Sequence, residues 1–115
     1  MSYIDGIVAA VPTANKAAYL QHAQLAAVVF KEYGALSVVE TWGDDVPEGK
    51  LTSFPMAVQR RADETVVFSW IMWPDKSTRD SGMVKAMEDK RLKGVEMPFD
   101  GRRMIYGGFE VLLNV

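Results

Sequence analysis

The sequence contains no cysteine and a single histidine, His22. The first absence removes disulfides, thiolate nucleophiles and iron–sulfur or cysteine–zinc sites; the second removes any multi-histidine metal centre. No metal or cofactor is therefore expected. A surplus of positive charge is also missing. The 13 Lys and Arg against 15 Asp and Glu give a formal net charge of −2, whereas phosphate neutralisation needs clustered cations. Basic pairs such as Arg60 with Arg61 and Arg102 with Arg103 are too few and too scattered for that, so nucleic acid is not an expected partner. No apolar run approaches the roughly 18 residues of a membrane span. The N-terminal MSYIDGIVAAV has an acidic residue where a signal peptide has a basic region, and Pro12 interrupts its apolar run. A cytoplasmic protein without a membrane partner is the resulting expectation.

What remains is an ordinary globular composition of 115 residues, long enough for one core and read as a single domain spanning 1–115. Tyr3 to Val11 is β-rich and ends at Pro12. Asp5-Gly6 has the form of a hairpin turn, but too few residues precede it to supply an opposing strand, so Gly6 is read inside the strand. Thr13 is the expected N-cap of a helix running to about Tyr33, with Gly34 as its C′ residue. Ala35 to Trp42 reads as a second strand, followed by a Pro/Gly-rich acidic loop. Phe54 to Gln59 alternates in strand fashion, and Thr65 to Trp73 (TVVFSWIMW) is the strongest β segment, so a hairpin between them is expected. Ser77, with Asp80 three residues on, resembles a capping box for a second helix to about Leu92, with Met83, Val84 and Met87 as its thin apolar stripe. After a turn at Pro98, Asp100 and Gly101, a final strand runs from Arg103 to Val115.

This order predicts an α+β ferredoxin-like plait with an extra strand, an antiparallel sheet with two helices on one face. A sheet with one solvated face alternates apolar and polar residues, yet TVVFSWIMW sets Val67 and Ile71 on one face and Val66, Phe68, Trp70 and Met72 on the other. Two helices on one side leave the other apolar face uncovered, and a second copy of the same sheet is the expected cover. The chain itself is thus the expected partner, in a homodimer.

Several blocks, YIDGIVAAVP, FKEYGAL, VETWGDDVPEGKLTSF, VVFSWIMWPDKSTRD and MPFDGRRMIYGGFE, together resemble the small bacterial YbaA-like proteins, a family of unknown function in the dimeric α+β barrel superfamily. The resemblance spans essentially the whole chain. It implies a ferredoxin-like subunit whose sheet pairs with a second sheet around a barrel interior, and it supplies no catalytic residues. Two departures stand out. Thr41 occupies a position beside the second-strand glutamate where such proteins can carry cysteine, and the segment around Lys93 to Glu96 is short.

Candidate chemistry rests on charged residues inside predicted strands, where carboxylates are unfavourable unless paired, solvated or used. Asp5, Glu40 and Glu110, with Tyr106, either supply a general base and a hydrogen-bond donor inside a barrel or form structural ion pairs with Arg79, Arg102 or Arg103. His22 is either an acid–base group or a residue at the core boundary. Trp42, Trp70, Trp73, Tyr106 and Phe109, with the glycine pair Gly107 and Gly108, either wall a pocket for an apolar or aromatic small molecule or belong to the core or dimer interface. The glycine pair itself marks either a bend in the sheet or clearance for a ligand. Asp44, Asp45 and Glu48 are read as a solvated turn. A cofactor-independent enzyme and a non-catalytic dimeric module with a packed interior remain the two functional readings.

Overall fold

A computed structural model describes residues 1–115. The chain runs β1 (Tyr3–Pro12), α1 (Lys16–Glu32), β2 (Ser37–Glu40), α2 (Phe54–Ala57), β3 (Glu64–Trp73), α3 (Lys76–Glu88) and β4 (Ile105–Glu110), with short 3-10 turns before α1 and before β4. The four strands form one antiparallel sheet in the order β2-β3-β1-β4. Parallel strands never lie side by side: β1–α1–β2 steps over β3 and β3–α3–β4 steps over β1, the ferredoxin-like arrangement the sequence predicted.

Register divides the side chains cleanly. Tyr3, Asp5, Ile7, Ala9 and Val11 of β1 stand beside Trp73, Ile71, Ser69, Val67 and Thr65 of β3 on the face under α1 and α3. Phe30 of α1 meets Trp73 edge-on at 6.4 Å, and Tyr19 packs with Ala9, Val11 and Val67. The core therefore lies between this face and the helices. Gly34, at φ +113°, ends α1 in the left-handed region that glycine adopts at least cost.

Several local expectations are corrected, the extra strand among them. Phe54 to Gln59 is not a strand: Ser53 accepts the Met56 amide at 3.1 Å and Pro55 occupies the first turn, so a cap and a helix-compatible proline start the short helix α2 instead. The hairpin expected there is replaced by pairing of β3 with β2 and β1. At α3 the cap is Asp75, which accepts the Thr78 amide at 2.7 Å, rather than Ser77. Its inward residues are Gly82 and Ala86 with Met83, while Val84 and Met87 face solvent. Thr13 does not cap α1 either, because its hydroxyl bonds the Thr65 hydroxyl at 2.7 Å.

The opposite face is half covered. Val58, beyond α2, packs on Val8, Ala10 and Val66 at one end. The rest carries Ile4, Val39, Phe68, Trp70, Met72, Ile105 and Phe109, with Phe68 42% and Phe109 56% exposed. The two-faced apolar sheet expected from TVVFSWIMW is present.

Candidate functional site

The predicted site residues separate into five places. Asp5, Glu40, Tyr106 and Glu110 all stand on the helix side of the sheet by register, whereas Trp70, Gly107 and Phe109 stand on the open side. A space closed between two open faces would thus be apolar, without any of these carboxylates.

Asp5 is buried, and both its oxygens are engaged. Arg79 donates from Nη2 at 2.8 Å and from Nε at 3.1 and 3.2 Å, and Trp73 Nε1 donates at 2.9 Å. The same guanidinium lies 5.2 Å above the Tyr3 ring. The beginning of α3 supplies Arg79 where β1 needs a cation, and the Asp5 charge is thereby balanced in a low-dielectric setting.

This cluster explains Gly108. A Cβ there would lie 2.3 Å from the Tyr3 hydroxyl and 2.9 Å from Arg79 Nη2, so the glycine leaves room for the protein's own side chains. On the other face the Phe109 ring lies over Gly107 and over Gly6 of the neighbouring strand, about one van der Waals contact from each. One ring fills the space that two missing side chains leave.

Glu40, at the exposed end of β2, turns its carboxyl toward α1, where the Tyr19 hydroxyl donates to Oε1. Burial raises the Glu40 pKa above its ordinary value, opposed by the Tyr19 hydrogen bond and by the Ser69 hydroxyl directly across the strand pair. Burial and the neighbouring carboxylate also raise the Tyr19 phenol well above its ordinary range. Tyr19 stands between two tilted rings, Trp42 at 6.1 Å and Phe99 at 5.9 Å. Lys16, one turn earlier on α1, places Nζ 5.5 Å from the Trp42 ring centre. Sequence reasoning named Glu40 and Trp42 but missed Tyr19, Lys16 and Phe99. A tyrosine on the core face of a helix carries no signal that separates it from packing; only its position opposite the end of β2 does.

His22 is half-buried, and burial lowers its pKa, which favours the neutral imidazole. It lines an open groove of about 880 Å³ between α1 and residues 96–100, to which Phe99 also contributes. At one end of this groove, buried Glu64 takes paired hydrogen bonds from Arg103 at 2.7 and 2.6 Å, which pull its pKa down to about 2. Tyr106, 76% exposed, and Glu110 lie on edge strand β4 beyond the helices. No group of three or more His, Cys, Asp or Glu side chains is placed to hold a metal ion. No helix is long and apolar enough to cross a membrane.

A ferredoxin-like α+β subunit with one apolar sheet face uncovered and a carboxyl–phenol pair at the end of β2 is the class that fold and geometry define. Sequence comparison narrows it. The family described as "Protein of unknown function (DUF1428)" matches residues 2–101, and the chain belongs to that family. It is similar to the uncharacterized protein YbaA of Escherichia coli strain K12, at 54% identity over 116 residues covering 99% of each chain. The protein of the same name from Shigella flexneri matches to the same extent, 54% identity with 99% of each chain covered.

Proposed function

We propose that this chain works as a cytoplasmic homodimer, one domain per subunit, that binds a small apolar or aromatic molecule beside the Glu40–Tyr19 pair and acts on it without a cofactor. The observation that carries this reading is the pair itself: a carboxyl of raised pKa, hydrogen-bonded to a phenol that two aromatic rings flank. Raising its pKa makes the ionised carboxyl a stronger base, and aromatic walls suit an apolar ligand body. The site is assigned to the helix side of the sheet because that is where register puts the carboxylates.

Dimerisation is supported by the uncovered row Ile4, Phe68, Trp70, Met72 and Phe109, an apolar surface that water leaves unsatisfied. Light scattering at tens of micromolar should report two chains for the wild type and one for Trp70→Glu; a monomeric wild type defeats the dimer. Ligand binding is tested with a metabolite-library thermal-shift screen, since a ligand selective for the folded state raises its stability. Hits should weaken in Glu40→Gln and in Tyr19→Phe, and hits that shift all three proteins equally would displace the site. The same apolar row favours the second reading, a non-catalytic dimeric module with a packed interior. That reading gains if the screen yields no hit at all.

A further inference from the structure

We infer that Glu40 is the general base for proton transfer on an enolisable carbonyl compound that carries an aromatic or apolar body and an anionic group, with Lys16 as the partner of the anion. This rests on the small-molecule reading above and names its substrate class.

Tyr19 holds Glu40 Oε1 and the Ser69 hydroxyl faces the same carboxyl across the strand pair, but no Lys or Arg pairs with it. Asp5 and Glu64, by contrast, have both oxygens committed to Arg79 or Arg103. Glu40 is thus a strand carboxyl with a fixed orientation and no cationic partner. Lys16 takes part in none of the chain's ion pairs. Its ammonium is held over Trp42, two residues beyond Glu40, so a base, a cation and a ring share one corner of the fold. The Ser69 hydroxyl across the strand pair is buried, the Thr41 hydroxyl is bonded to the Phe68 carbonyl, and the chain has no cysteine, which favours proton transfer over nucleophilic attack there.

The step balances without a co-reactant. Glu40 takes the proton from the carbon next to the carbonyl, and the C–H electron pair moves to the carbonyl oxygen as an enolate. Glu40 then gives its proton to that oxygen, forming the enol; the enol hydroxyl and the Glu40 carboxyl exchange with solvent, so in D2O the reverse sequence returns deuterium to the carbon as the ketone is regenerated. Lys16 offsets the ligand's carboxylate charge throughout. Tyr19 is a positioning residue: it fixes the rotamer of Glu40 and stabilises the ionised carboxylate.

Phenylpyruvate combines the ring, the carboxylate and the enolisable carbonyl, and is the probe. Deuterium incorporation at its C3 in D2O is followed by proton NMR, with thermal shift measured on the same samples. The expected result is exchange accelerated by wild type over buffer and reduced about 10²–10⁴-fold in Glu40→Gln. In Tyr19→Phe, loss of the hydrogen bond should move the midpoint of the rising pH limb upward, which a merely structural role would not do. Lys16→Ala should raise KM more than it lowers kcat. A stabilised protein with no exchange, or with exchange equal in Glu40→Gln, overturns the inference and leaves binding intact. Neither stabilisation nor exchange overturns both.

Discussion

The two faces of the sheet differ in how they treat polarity. On the helix side, charge is admitted and then answered: Asp5 by Arg79 and Trp73, Glu40 by Tyr19. On the uncovered side, strand residues from Ile4 to Phe109 offer almost nothing that can hydrogen-bond, and the charged residue at its covered end, Glu64, is closed off by Arg103. The lesson is that an apolar strand face can stay open to solvent, whereas a buried charge needs its partner within the same chain, because an unpaired one costs several kcal/mol.

The largest expected break in this contrast is Arg79→Met, which strands the Asp5 carboxylate among Trp73 and Ile71. Urea denaturation should show a loss of about 3–5 kcal/mol. The double variant Asp5→Asn with Arg79→Met should recover part of it, since the charge is gone. Next comes acid. A carboxyl whose folded pKa is depressed stabilises the fold above its unfolded value and ceases to as the pH falls through the folded value. For Glu64 that window runs from the ordinary 4.5 down to about 2. The stability advantage of wild type over Glu64→Gln should shrink by about 3 kcal/mol across it, measured by denaturation at a series of pH values.

Adjacent glycines give a finer comparison, because one points to each face. Gly108→Ala forces Cβ against Tyr3 and Arg79 and should cost about 1–3 kcal/mol. Gly107→Ala meets the movable Phe109 ring at 3.4 Å and should stay within about 0.5 kcal/mol of wild type, both variants being measured by urea denaturation. Equal effects would mean that the faces do not differ in tolerance. The smallest effect has the opposite pH sign to Glu64. Because the Glu40 pKa is raised, its contribution to stability is full at low pH and falls as the pH rises through the folded value. Glu40→Gln should therefore gain on wild type as the pH rises, by about 0.5 kcal/mol or less, given its exposed position.

How much of this was legible follows from the range of each interaction. Strand alternation and helix ends are local, so TVVFSWIMW, Gly34 and the in-strand Gly6 were readable from neighbouring residues. Phe54 to Gln59 misled because six residues of alternation weigh less than a serine cap and a proline in the first turn. The site was only half legible for a different reason. A carboxylate in a strand announces that it needs a partner, which pointed to Asp5 and Glu40, and Arg79 was among the cations considered for them. Who answers is decided by register and helix placement: Arg103 goes to Glu64 rather than to a candidate strand carboxylate, and a tyrosine on the core face of a helix, as Tyr19 is, carries no local sign of a carboxylate partner.

The glycine pair also bears on how β4 finds its place. An edge strand with few buried side chains is weakly held against sliding. Sliding β4 by two residues along β1 would bring Tyr106 or Glu110 into the slot opposite Asp5 that Gly108 now leaves to Tyr3 and Arg79. Sliding it by one would turn Phe109 toward that crowded side and strip the cover from Gly6. Each misalignment meets an obstacle that the native alignment avoids, so Gly107, Gly108 and Phe109 act together as a lock on strand position, built from two vacancies and one ring.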